Sequence, residues 1–205
     1  MKIQKTEING VFLIEPEFRF EDQRGEIFCA YEESSWLKAW TNTDPQGFMG
    51  YLRFKKDNFS VSVKNVLRGI HVSPSSWKLA TCVSGRIFLV VVDCRVEFKP
   101  KRIGTREYVA LANLNFGKWQ AFELNDIDRT QILVPPMCGL AHLVLSRTAI
   151  FYYKWSNVYS DDQIAYNWND PYFNIDWPIQ TPILSERDRT AKWVENKEAS
   201  GKNIV

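Results

Sequence analysis

Between Asn65 and Arg95 the chain alternates apolar and polar residues in short runs, separated by turn-forming residues. Val66, Leu67 and Ile70 flank Arg68 and His71, Pro74-Ser-Ser forms a turn, and Ser84-Gly85 starts the run Ile87-Phe-Leu-Val-Val-Val92. That run is β-branched and too short for a helix of ordinary length, so the stretch reads as successive strands of a sheet. It also carries one of the two histidines, with Arg68, Lys78, Arg95 and Asp93 nearby in sequence. Titratable groups projecting from a rigid sheet are well placed for chemistry. The plainer alternative is a sheet whose outer face simply bears charge.

The rest of the chain extends the same pattern. Residues 8–20 read as an extended opening element, and Glu21-Asp-Gln-Arg-Gly25 as a turn into a strand over Glu26–Tyr31. Trp36, Leu37 and Trp40 at helical spacing predict a short helix over Glu32–Trp40, followed by a turn-rich segment from Thr41 to Gly47. From Phe48 to about Tyr153 strands and turns follow one another, broken near Pro100, Gly104, Gly117 and Asn125-Asp126. Many short strands of this kind predict an all-β antiparallel sandwich or barrel. After Tyr159 the chain turns irregular, and Ser185-Glu-Arg-Asp188 ahead of Ala191, Trp193 and Val194 predicts a closing helix with an Asp variant of the capping box. No repeat or linker divides the 205 residues, which read as one domain over 1–205.

Several function classes lack support. With 26 basic and 24 acidic residues interspersed, the chain has no basic stripe for nucleic acid. The 8 Trp and 13 Phe read as buried packing rather than base-stacking platforms. Cys29, Cys82, Cys94 and Cys138 form no metal-ligand spacing, and Val11-Phe-Leu-Ile14 is too short for a signal-peptide core. No apolar run approaches a membrane span. These features fit a reducing, soluble, cytoplasmic compartment with no membrane or nucleic-acid partner. Two histidines cannot build a multi-histidine metal centre, and two His plus one carboxylate is possible only by arithmetic. There is no P-loop, no G-x-G-x-x-G and no G-x-S-x-G.

A series of ordered motifs is more specific. Arg24-Gly25, Asp57-Asn58, Asn65-Val-Leu-Arg-Gly-Ile-His71, Lys78-Leu79, Val92-Asp-x-Arg95, Ile132-Leu-Val-Pro135, Phe151-Tyr-Tyr-Lys154, Ile175-Asp-Trp-Pro178 and Leu184-Ser-x-x-Asp188 occur in that order. Together they resemble the dTDP-4-dehydrorhamnose 3,5-epimerase family of cupin-fold sugar-nucleotide epimerases. Arg68-Gly-Ile-His71, Lys78-Leu-Ala-Thr-Cys-Val83 and Ile183-Leu-Ser-Glu-Arg-Asp188 look closer to the branch acting on GDP-linked 4-keto-heptoses in capsule assembly. The resemblance implies a cupin-type antiparallel β-barrel (jelly roll) with short peripheral helices and a C-terminal helix. It also implies a homodimer, no cofactor, and a nucleotide-diphospho-4-keto sugar as substrate.

In such a sugar the ketone at C4 acidifies the hydrogens on C3 and C5. Inversion needs a base on one ring face, a stabilised enolate oxygen, and a proton donor on the other face. Histidine, with an unperturbed pKa of about 6.5, suits the base role. By resemblance His71 is the base, Asp188 its orienting acid and Tyr153 the proton donor. Lys78 is the group holding the enolate oxygen. Arg24 and Arg68 match residues gripping the diphosphate, and Asn58 one positioning the nucleotide. Each has a plainer reading. Asp188 fits equally as the acid of a helix cap at Ser185, either tyrosine of the 151–154 motif could be packing, and the basic residues could serve surface ion pairs.

Two departures bear on the substrate. Rhamnose-branch enzymes carry an Asp where this chain has Leu89, and a histidine where it has Leu140, with His142 lying two residues on. His142 is either a substrate contact or packing at the barrel mouth. The rival readings are a 3,4-ketoisomerase on the same scaffold and a sugar-nucleotide-binding cupin without activity.

Overall fold

The computed structural model describes residues 1–16, 19–43, 52–100, 108–158 and 163–195. Two antiparallel sheets face each other. Their strands are β1 (Lys2–Lys5), β2 (Phe12–Glu15), β3 (Arg19–Asp22), β4 (Gly25–Phe28), β5 (Lys56–Val63), β6 (Leu67–Val72), β7 (Lys78–Ser84) and β8 (Arg86–Asp93). They continue with β9 (Val96–Pro100), β10 (Tyr108–Ala112), β11 (Trp119–Asn125), β12 (Gln131–Val134), β13 (Cys138–Val144), β14 (Thr148–Trp155) and β15 (Ile164–Ala165). The first sheet runs β1-β2-β12-β7-β14-β5 and the second β11-β8-β13-β6-β15, while β3-β4 and β9-β10 are separate hairpins. The all-β expectation therefore holds, with one correction: the barrel is not closed. Among the described residues no ladder joins the two sheets, and β5 is left with a free edge.

The sandwich is held by burial on three levels. Between the sheets, Ala80, Cys82, Ile132 and Phe151 of the first meet Ile87, Leu89, Val91, Leu124 and Leu140 of the second. The outer face of the second sheet is also covered: Ile70, Val72, Val90 and Val92 pack on Tyr166 and Phe173 from the irregular C-terminal segment. This explains why β8 reads as a continuous apolar run, since both its faces are buried. On the far side, helix α1 (Glu33–Thr43) lays Trp36 and Trp40 over Ile14, Leu79 and Leu133. Each of these buried aliphatic or aromatic side chains is worth roughly 1.5–3 kcal/mol of transfer free energy.

Other expectations need adjusting. The opening element is broken by a turn before β2, and β3 and β4 form a hairpin around Gln23-Arg24. Helix α1 runs on through Thr43, into the segment expected to be turn-rich from Thr41, and residues 44–47 lie outside the described residues. The closing helix is a single turn, α2 (Glu186–Arg189), ending at Thr190. Beyond it the chain is extended: Lys192 bridges Tyr166, and Trp193 remains 53% exposed. The pairing with Tyr166 competes with continuation of the helix. No helix of the described residues is long and apolar enough to cross a membrane.

Candidate active site

The site is built from ladder registers. On β14, Tyr153 stands opposite Asn58 of β5 and Ala80 of β7, and Trp155 stands opposite Lys56 and Lys78. Strand alternation therefore places Lys56, Asn58, Lys78, Phe151, Tyr153 and Trp155 on the inner face of the first sheet. The facing wall depends on an irregularity. Between β6 and β13, His71 pairs with Leu140 and Arg68 with His142, so Gly69 and Ile70 together oppose the single Ala141. This extra residue is a β-bulge, and it lets Arg68 and His71, three apart in sequence, face the same way. Position 69 accepts only glycine: its φ is +125°, and a Cβ there would lie 2.4 Å from the Ala141 Cβ.

The two walls enclose a cavity of about 530 Å³ lined by His71, Tyr153, Lys78, Arg68, Asn58 and His142. It thus gathers every sequence-predicted cavity residue except two. Asp188 stands behind His71, with its Oδ1 2.6 Å from the His71 Nε2. Arg24 is outside altogether. It sits on the β3–β4 hairpin, its side chain 79% exposed and paired with Asp22, and does not line the cavity of its own chain.

Asp188 makes the contacts of both readings the sequence left open. Its backbone N–H donates to the Ser185 hydroxyl at 3.1 Å, capping α2, and that hydroxyl donates to the Asp188 Oδ2 at 2.9 Å. Burial alone would raise this carboxyl. The hydrogen bond and charge of His71, the Ser185 hydroxyl and the Gly69 N–H outweigh burial and hold it below the usual carboxylate range. The one-turn helix thus fixes an ionised acid against the imidazole.

Lys78 is 4% exposed, and its Nζ lies 3.4 Å from the His71 carbonyl and 5.0 Å from the Trp155 ring centroid. Burial, and secondarily the charge of Arg187, lowers its pKa from 10.5 to about 8. Burial raises the Tyr153 phenol, with Arg68 pulling part of the way back. His142 packs on Phe151 at 4.2 Å, and Phe151 stacks on Tyr153 at 5.2 Å. Burial, then Arg68 and His71, lowers the His142 pKa to about 3, so it is neutral near pH 7.

Sequence reasoning missed Lys56, Ser60, Trp155, Gln163 and Arg187, which also line the cavity. Lys56 and Ser60 share the strand parity of Asn58, and Arg187 adjoins Asp188, so those three were within reach. Gln163 comes from irregular chain and carries no pattern. Among the described residues the lining includes four cations (Lys56, Arg68, Lys78, Arg187) and no carboxylate. Among the described residues no group of three or more His, Cys, Asp or Glu is placed to hold a metal ion.

Residues 5–196 match the family model for dTDP-4-dehydrorhamnose 3,5-epimerase. The chain belongs to that family. The Shigella flexneri dTDP-4-dehydrorhamnose 3,5-epimerase is 34% identical over 194 residues, covering 92% of this chain and 93% of the relative. Among solved structures, NovW, a 4-keto-6-deoxy sugar epimerase of Streptomyces spheroides, superposes with a TM-score of 0.78 at 29% identity, covering 100% of this chain and 93% of that one. The Legionella pneumophila 3,5-epimerase, solved with dTDP-4-keto-L-rhamnose, gives 0.75 at 28% identity, covering 100% and 98%. These relatives are isomerases, and membership of the dTDP-4-dehydrorhamnose 3,5-epimerase family makes this chain an epimerase-type enzyme.

Proposed function

We propose that the cavity inverts one or both carbons flanking the ketone of a nucleotide-diphospho-4-keto sugar, with a dTDP-4-keto-6-deoxyhexose as the first substrate class to test. One observation carries this reading. His71 and Tyr153 rise from opposite sheets into a single cavity, so they can address opposite faces of one pyranose. Because Asp188 engages Nε2, Nδ1 of His71 is the nitrogen left to take the proton from C3 or C5. The C–H electron pair moves into the ring and onto the C4 oxygen, where the Lys78 ammonium stabilises the enolate. Tyr153 delivers a proton to the same carbon from the other side as the carbonyl reforms, and solvent resets both residues. Burial keeps the phenol protonated until needed. Arg68, with Asn58, is assigned to the nucleotide diphosphate, which the cation-lined cavity favours.

The decisive assay is incubation with dTDP- and GDP-linked 4-keto sugars in deuterated water, read by NMR. Deuterium at C3 or C5 with the carbonyl still at C4 is expected. A product carbonyl at C3 would make the protein a ketoisomerase, and absence of exchange with every substrate would overturn the reading. Including a GDP-linked 4-keto-heptose decides whether the heptose-like motifs report the sugar.

We also propose a homodimer. The free-edge strand β5 exposes Phe59, Val61 and Val63, at 66%, 69% and 55%, and the β3–β4 hairpin exposes Phe20 and Ile27. Apolar residues on an unpaired edge mark a surface that is covered in solution. In such a pair Arg24, which does not line its own chain's cavity, would exchange its Asp22 contact for the neighbouring cavity.

A further inference from the structure

We infer that His142 reads the hydroxyl on C2 of the sugar, and so sets which 4-keto sugars the enzyme accepts. This rests on the substrate class proposed above.

His142 lines the cavity yet is 4% exposed, and its Nε2 is buried with no hydrogen-bond partner among the described residues. An orphaned polar atom of this kind is costly unless a ligand or water meets the ring, so the imidazole is kept for something other than packing. Its lowered pKa makes it a neutral partner for a hydroxyl, not a second anion-binding charge. Its address along the wall follows from the ladder. Leu140 stands beside His71, and His142 beside Arg68. Two residues along a strand span about 7 Å, comparable to the distance from the reacting carbons of a sugar to its diphosphate. A ligand with C3 and C5 at His71 and its diphosphate at Arg68 therefore lays the C1–C2 edge against His142. C2 carries the one hydroxyl on that edge. The apolar Leu140 leaves the reacting end without a competing hydrogen bond from β13.

The test compares kcat/KM for deuterium wash-in on dTDP-4-keto-6-deoxyglucose and on its 2-deoxy counterpart. Wild type, His142→Leu and His142→Gln are measured, each checked by thermal melting. An analogue lacking the hydroxyl leaves one buried imidazole unpaired, which should disfavour it by a factor of about 30. In His142→Leu the two substrates should converge to within about threefold, through loss on the hydroxylated one. His142→Gln should keep part of the preference, and guards against a Leu variant that fails to fold. A Leu or Gln variant that discriminates as the wild type does, or a wild type indifferent to the C2 hydroxyl, overturns the inference while leaving the epimerase reading intact. A wild type that exchanges neither substrate overturns this inference, and the epimerase reading falls with it only when the GDP-linked 4-keto sugars also fail to exchange.

Discussion

At the level of single residues, His71 and Tyr153 should fail in different ways. His71→Asn removes the base, so both wash-in and epimer formation should fall by roughly a thousandfold. Tyr153→Phe leaves proton abstraction in place. It should retain wash-in with retention of configuration while inverted product drops at least about a hundredfold, which chiral analysis of the recovered sugar will show. Lys78 separates activity from stability. Its pKa of about 8 lies below its ordinary 10.5, so burying the charged form costs about 3 kcal/mol of stability at neutral pH. The folded state binds fewer protons than the unfolded one between those values. The penalty is therefore complete below pH 8 and disappears as the pH rises through 10.5. Lys78→Met should melt at a higher temperature than the wild type at pH 7, with the gap closing toward pH 10, while kcat falls about a hundredfold. Wild-type kcat should decline as the pH passes 8 and the ammonium is lost. Asp188 works in the opposite sense: its depressed carboxyl stabilises the fold above the usual carboxylate range, and that contribution is lost in more acidic solution.

The secondary-structure elements show how much the sequence disclosed and where it fell short. Alternation and turn residues were enough for β5, β7 and β14, whose inner faces carry Asn58, Lys78 and Tyr153 by parity alone. The bulge at Gly69 was not legible. Arg68 and His71 are three apart, which simple alternation would send to opposite faces, and only the pairing with Ala141 reveals why they converge. The C-terminal segment was harder still, because its partner is the outer face of a sheet formed about a hundred residues earlier in the chain. Ser185 and Asp188 looked like a choice between cap and dyad because a sequence gives spacing and not direction. In the folded chain one carboxylate residue does both. Ser185→Ala should therefore lower stability by about 1 kcal/mol by loss of the cap, and lower kcat severalfold without changing KM by loosening Asp188. Denaturant melts and initial rates measured on the same sample check both effects.

For the molecule as a whole, the two-sheet architecture puts His71, the proposed proton acceptor, on one wall and Tyr153, the proposed donor, on the other, with α1 and the C-terminal segment packed against the outer faces. The proposed dimer predicts that Val63→Asp on the exposed edge, outside the cavity lining, yields a monomer by light scattering. Its KM should rise by more than tenfold if Arg24 acts across the pair, and Arg24→Ala should raise KM similarly without dissociating the dimer. The position of Arg24 outside its own chain's cavity was beyond sequence reasoning for a plain reason: motif order does not say where a side chain ends up.

The His71–Asp188 contact closes a loop of 117 residues. During synthesis the histidine leaves the ribosome long before its acid exists, and both sheets can assemble in the interval. A chain that stops early, or is clipped ahead of Ser185, would keep its strands and its open cleft but have an imidazole with nothing behind it. On the proposed mechanism competence waits for the turn that carries Asp188, so that a nascent or damaged copy would be chemically silent toward a reactive ketone.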